Sequence, residues 1–290
     1  MNIQKVMVLG SGLMGSGIAQ VCAQSGIQVI LTDISKNALE KALKNIAWSV
    51  GKFVEKGRVS ENEETIMARI KTDSNYDAGA DADLAVEAVF ENVELKLELF
   101  KKIDEVCGSK TLIASNTSAI PISELAAVTK RPEKVLGLHF FSPVPMMQAV
   151  EVIKGIETSN TTAQIGSDFI KQIGKEPIMV NRDVAGFVIN RINFPSQIEA
   201  MKLVEQGVAS VEDIDKGLRL ASGRKMGVFE TGDMVGLDVT YGAMTAIYKE
   251  TGDSEFYPPF LLRRKVKAGH LGRKTGKGWY EYNKDGSRKE

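Results

Sequence analysis

Val6-Met7-Val8-Leu9-Gly10-Ser11-Gly12-Leu13-Met14-Gly15 decides the fold: an apolar run ends in a glycine-rich turn, and an amphipathic stretch to Ser25 follows at once. Each glycine of this G-x-G-x-x-G spacing has a physical reason. Gly10 permits a tight turn, Gly12 lets a pyrophosphate approach the backbone, and Gly15 lets helix and strand pack closely. Free amides at the helix N-terminus, over Ser11, Leu13 and Met14, then face the phosphates. The side chains of Met14 and Ala19 are read as core-facing. As a bare string the motif is weak. Strand, turn and helix in this order, with Asp33 closing the next strand, raise it. Asp33 offers a carboxylate to the hydroxyls of an adenosine ribose and repels a phosphate there, which favours NAD over NADP, although Lys36 lies close enough to moderate that repulsion.

Outward from this turn the alternation continues. Ile3 to Leu9, Met14 to Ser25 and Gln28 to Thr32 read as strand, helix, strand, the grammar of a parallel sheet covered on both faces. Further strands are expected at Leu84 to Val89, Thr111 to Ser115, Val135 to His139, Ala149 to Ile153 and Pro177 to Val180. Helices are expected around Leu95 to Val106, Ile122 to Thr129 and Thr161 to Ile173. The apolar spacing from Lys36 to Gly57 predicts one long helix, about 30 Å, extending past the sheet. After Val180 the strand signals fade. Val184 to Glu205, Ser210 to Ala221, Val235 to Glu250 and Glu255 to Lys267 all read as helix, with Ser210 and Asp213 forming a capping pair. The expected architecture is α/β: a Rossmann-type, doubly wound, mostly parallel sheet over residues 1–183, then an all-helical domain over 184–290.

Bulk properties narrow the classes. Lys plus Arg (37) balances Asp plus Glu (37), so no global field recruits nucleic acid or an anionic membrane surface. The basic C-terminal stretch lacks the aromatic interleaving of a nucleic-acid tail. No apolar run of about 18 residues predicts a membrane span. Cys22 and Cys107 form no C-x-x-C pair and read as small buried hydrophobes, and no signal peptide is recognisable, so a cytoplasmic setting is expected. No metal site is expected.

With only two histidines, His139 and His270, imidazole chemistry has few sources. His139 closes a strand and opens Phe140-Phe141-Ser142-Pro143, and ligands of open α/β sheets bind outside such strand ends. Glu151 sits between Val150 and Val152, where a carboxylate is costly to bury unless a donor meets it. Together they suggest a pair in which Glu151 accepts from one ring nitrogen while the other faces a substrate hydroxyl, as hydride transfer to a nicotinamide requires. A turn-filling histidine and an ordinary edge-strand acid remain the alternative. His270 reads as a surface residue.

The motifs resemble the L-3-hydroxyacyl-CoA dehydrogenase family, in particular its bacterial four-carbon branch. They are Val8 to Gly15, Glu87-Ala88-Val89-Phe90-Glu91-Asn92, Ser115-Asn116-Thr117-Ser118, His139 to Pro145, Gly186-Phe187-Val188-Ile189-Asn190-Arg191 and Leu271 to Tyr280. The resemblance implies NAD-dependent interconversion of (S)-3-hydroxybutyryl-CoA and acetoacetyl-CoA, as in fatty acid and butyrate metabolism. It further implies a homodimer formed through the C-terminal domain. His139 and Glu151 match the family's catalytic pair, and Ser118 and Asn190 its substrate-oxygen ligands. Glu91, Lys96, Ser118, Ser142 and Lys274 match cofactor positions, and Ser49 and Lys56 match positions meeting the CoA nucleotide. Read without the family, Ser118 is an N-cap, Asn190 a polar residue in an apolar helix, and Lys52 to Arg58 a solvated charged face. Ser142 stands where many relatives carry Asn, and Gln148-Ala149 where Lys-Leu is usual. A dehydrogenase of a free hydroxy acid or sugar acid, or a non-catalytic dinucleotide-binding protein, fits the same fold signals.

Overall fold

A computed structural model describes residues 2–289. The chain divides into two units, Met1–Val184 and Ala185–Glu290. The first contains, in order, β1 (Lys5–Leu9), α1 (Leu13–Gln24), β2 (Gln28–Thr32), α2 (Lys36–Glu55), α3 (Glu63–Met67), β3 (Ile70–Asp73) and β4 (Leu84–Glu87). It continues through α4 (Val93–Val106), β5 (Leu112–Ser115), α5 (Ile122–Ala126), β6 (Val135–Phe140), β7 (Ala149–Ile153), α6 (Asn160–Gln172) and β8 (Glu176–Val180).

Among the described residues, eight strands form one sheet in the order β3-β2-β1-β4-β5-β6-β7-β8. β1 to β6 pair in parallel, β7 runs antiparallel to β6, and β8 pairs in parallel with β7. The central strands β4, β5 and β6 are buried along their whole length, which is why they read as unbroken apolar runs. β3 was not anticipated. Its sequence Ile-Lys-Thr-Asp has one buried position, Ile70, and an edge strand of that kind leaves no apolar pattern to read.

Side-chain caps set several helix starts. Ser35, Asn92 and Ser159 accept from Ala38 N–H, Leu95 N–H and Thr162 N–H at the N-termini of α2, α4 and α6. Along α2, Leu39, Ala42, Ile46 and Val50 face the core of the first unit, and Leu43 and Val54 pack against its edge.

The turn between β6 and β7 is held by Lys175, which is 5% exposed. Its ammonium donates to the carbonyls of Val144 (2.7 Å) and Met147 (2.6 Å). Burial lowers the pKa of this lysine. Glu176 N–H donates to Gln148 O at 2.9 Å, and Val144 packs against Gly17 of α1, where a Cβ would come within 2.7 Å of the Val144 Cβ. The turn is thus clasped by α1 on one side and by the start of β8 on the other.

The second unit contains α7 (Ile189–Glu205), α8 (Val211–Ser222), α9 (Val228–Val235), α10 (Leu237–Thr251) and α11 (Phe260–Lys267). α7 starts later than its apolar spacing suggests, because Gly186 (φ 79°) and Phe187 (φ 48°) take left-handed backbone just before it. α11 likewise starts only after Pro258-Pro259, whose nitrogens cannot donate within a helix. Ser210 caps α8 through Asp213 N–H at 3.0 Å. α9, unread from the sequence, is capped from a distance: buried Asp215 accepts from Phe229 N–H (3.0 Å) and Glu230 N–H (2.9 Å). Asp233 gathers the C-terminal segment, accepting from Trp279 N–H, Tyr280 N–H and the Tyr282 hydroxyl, and burial raises its pKa. No helix among the described residues is long and apolar enough to cross a membrane.

Candidate active site

The crevice forms where β1 and β4 lie side by side and their crossovers leave in opposite directions. Each glycine of the turn has a distinct surrounding. Gly10 adopts φ 100°, and a Cβ there would lie 2.6 Å from Ala88 O. A Cβ on Gly15 would lie 1.8 Å from Gly10 O, so only glycine allows α1 to start against the turn. A Cβ on Gly12 would meet nothing within 4 Å. Gly12 therefore faces open space, and no side chain caps the N-terminus of α1. A close packing point beneath an open, uncapped helix start fits a diphosphate approaching the backbone.

Asp33 stands beside this turn. Its Oδ2 accepts from Ser11 N–H (2.9 Å) and the Ser11 hydroxyl (2.8 Å), and its Oδ1 from Ser35 N–H (3.0 Å). Partial burial pushes its pKa up, but these hydrogen bonds outweigh it and hold the carboxyl below its ordinary value.

At the carboxyl ends of β4 and β5 lies a buried ionic cluster. Glu87 (0% exposed) accepts from Lys96 Nζ at 2.8 and 3.0 Å, from the Ser115 hydroxyl, and from Val89 N–H at 2.7 Å. Lys96 (1% exposed) also meets Glu91 Oε2 at 2.9 Å. The other oxygen of Glu91 takes the Thr117 hydroxyl, Ser118 N–H (2.9 Å) and Ala119 N–H (3.2 Å). Burial lowers the pKa of Lys96, but the charges of Glu87 and Glu91 more than reverse that. Glu91 is raised by burial and brought below its usual value by Lys96 and these donors. The loop bearing Ser118 is therefore fixed by an acid-base-acid chain. Asn116 Oδ1 ties it to β6 by accepting from Phe140 N–H at 2.9 Å.

His139 and Glu151 are register partners across the antiparallel β6–β7 pair. Residues directly opposite each other on such a pair point to the same face. His139 Nδ1 lies 2.7 Å from Glu151 Oε2, with the imidazole 4% exposed and the carboxylate fully buried. The ring of Phe141 meets the imidazole edge-on at 4.7 Å.

Ser142 is half-buried, two residues beyond the end of β6. Ser49 is half-buried on α2, and Lys56 is exposed at its C-terminal end. Nearby Lys52 pairs with Glu55 at 2.7 Å and Arg58 lies over Phe53 at 5.7 Å, whereas Lys56 has no ion-pair partner among the described residues. In the second unit, Asn190 lies in the first turn of α7 and Lys274 pairs with Asp238 at 2.6 Å. Glu87, Asn116 and Thr117 stand in the sequence motifs quoted above, where none of them is given a role.

A doubly wound sheet with this cradle at its switch point and a buried histidine–carboxylate pair beyond it is the architecture of a dinucleotide-dependent dehydrogenase. Residues 5–184 match the model for "3-hydroxyacyl-CoA dehydrogenase, NAD binding domain", and residues 186–282 that for "3-hydroxyacyl-CoA dehydrogenase, C-terminal domain". The chain belongs to the 3-hydroxyacyl-CoA dehydrogenase family and is an NAD-dependent enzyme of that class. It is 42% identical over 283 residues to a probable 3-hydroxybutyryl-CoA dehydrogenase of Bacillus subtilis, covering 97% of this chain and 98% of that one. The crystal structure of (S)-3-hydroxybutyryl-CoA dehydrogenase from Ralstonia eutropha superposes with a TM-score of 0.90 at 42% identity, over 98% of this chain and 100% of that one. A diketoreductase acting on dicarbonyl compounds superposes with a TM-score of 0.84 at 31% identity, over 97% and 100% of the two chains.

Proposed function

We propose that the enzyme interconverts (S)-3-hydroxybutyryl-CoA and acetoacetyl-CoA, with His139 moving the hydroxyl proton and Glu151 orienting His139. The observation carrying this reading is the 2.7 Å contact between the buried Glu151 carboxylate and His139 Nδ1. With Nδ1–H donated to Glu151, Nε2 is the ring nitrogen assigned to take the proton of the substrate hydroxyl. Bound NAD supplies the acceptor for the hydride leaving the carbinol carbon. In the reverse direction His139 returns the proton to the ketone oxygen. Ser118, on its fixed loop, and Asn190 are assigned to the substrate oxygens. Glu91, Lys96, Ser142 and Lys274 are assigned to the cofactor with the glycine turn, and Ser49 and Lys56 to the CoA nucleotide. The four-carbon substrate is supported by the likeness to the Bacillus and Ralstonia enzymes.

Initial rates test the substrate assignment. With NADH, kcat/KM for acetoacetyl-CoA should exceed that for acetoacetate by at least about 100-fold, since remote binding groups contribute to transition-state stabilisation. Equal values on both would sink the CoA assignment. NADPH should be the poorer reductant by at least about tenfold, because Asp33 repels its additional phosphate; a preference for NADPH would show that Asp33 has another role.

A homodimer belongs to the same reading. Leu220 is 78% exposed, Ile192 66% and Val208 64%, apolar surface on the helical unit that a second copy would cover. Sedimentation at micromolar concentration should give twice the chain mass, and a monomer there would count against it. Cys22 and Cys107 are free and buried, which fits a reducing, cytoplasmic setting.

A further inference from the structure

We propose that Glu87 biases the enzyme toward the oxidised form of its cofactor, by placing one uncompensated negative charge in the floor of the dinucleotide crevice. Its position comes from the sheet. Glu87 closes β4 and is the register partner of Leu9, the residue before Gly10. The next carbonyl, Ala88 O, occupies the space that a side chain on Gly10 would need. The carboxylate thus lies beneath the switch point, on the β4–β5 side, the half of the crevice opposite Asp33, which follows β2.

The charge follows from the partners. Glu87 and Glu91 share a single ammonium, Lys96, and their other donors are neutral: Ser115, Val89 N–H, Thr117, Ser118 N–H and Ala119 N–H. Two carboxylates against one ammonium leave a net charge of one negative unit. Glu87 and Lys96 are shut off from water while the Glu91 side chain is 39% exposed at the rim, so solvent screens this charge from one side only.

The cofactor senses it because its two forms differ by one charge. When the carbinol carbon gives up hydride, two electrons and one proton enter the nicotinamide ring, and the ring's positive charge disappears. The hydroxyl proton leaves separately to the base. A fixed negative charge in the floor therefore attracts the oxidised ring and has no matching attraction for the reduced one. Being fully buried, Glu87 acts through this field and through Lys96.

The test is Glu87→Gln in the full-length enzyme, which keeps the shape and removes the charge. Kd for NADH is read from its fluorescence and Kd for NAD from competition against it. Kd for NAD should rise about three- to tenfold, while that for NADH stays within about twofold. An unchanged ratio of the two constants, or a parallel weakening of both, overturns the proposal, since a purely structural role moves both together. Should Glu87→Gln fail to fold, Glu87→Met removes the same charge with a side chain of similar length that needs no hydrogen-bond partner. It should shift the ratio in the same direction, and an unchanged ratio there is equally fatal. Loss of all dinucleotide binding in the unmodified protein would instead count against NAD dependence itself.

Discussion

Replacing His139 with alanine is expected to lower kcat for acetoacetyl-CoA reduction by about 10²- to 10⁴-fold, the range for loss of a general acid–base group, while Kd for NADH stays within about twofold. The imidazole is buried and held by Glu151 on the strand opposite, so it has little freedom to serve another purpose. The dinucleotide cradle lies at the ends of β1 and β2, where Ser11 N–H donates to Asp33. A variant with near wild-type turnover would refute the role of His139. Parallel loss of NADH binding would show that the histidine supports the fold of the site rather than its chemistry.

Gly15→Ala should be nearly as damaging, by a different route. The new methyl group would sit 1.8 Å from Gly10 O, a backbone atom that cannot step aside. α1 must then move away from β1, with a loss of about 3 kcal/mol or more and a drop in Tm of several degrees. NADH affinity should fall with it, because the amides at the start of α1 move together with the helix. Gly12→Ala makes the comparison. Its methyl group would meet no protein atom within 4 Å and its φ of −67° suits alanine, so Tm should stay within about 2 °C while NADH binding weakens at least about tenfold. If thermal denaturation and NADH titration show the two variants behaving alike, the division of labour among the glycines is wrong.

Much of this was legible because residue type and local pattern coincide. The glycine turn and the fully buried strands could be read directly, since a doubly covered sheet needs long apolar runs and the turn needs glycines at fixed spacing. Other parts depended on information that no local pattern holds. The direction of β7 is one: Ala149 to Ile153 reads as a strand whichever way it runs, yet only the antiparallel pairing sets Glu151 opposite His139. β3 and α9 escaped because one is a polar edge and the other is short, with its N-terminus capped by Asp215 from the preceding helix. Glu87 was within reach. It interrupts an apolar strand as Glu151 does, and the same cost of burying a carboxylate applies to both. Lys96, on an amphipathic helix, gave no sign that its ammonium turns inward to answer that charge.

The antiparallel return of β7 makes the spacing between base and carboxylate a matter of parity. Slide β7 by one residue along β6, and Val150 or Val152 stands opposite His139 while the carboxylate passes to the other face of the sheet. No intermediate offset exists, so small sequence changes cannot retune this contact by degrees. They leave it whole or abolish it. The Lys175 clasp on the intervening turn and the pairing of β7 with β8 then act as a register lock. Insertions that the turn absorbs should be harmless to the chemistry, whereas a single deletion within β7 should be lost from any functional lineage.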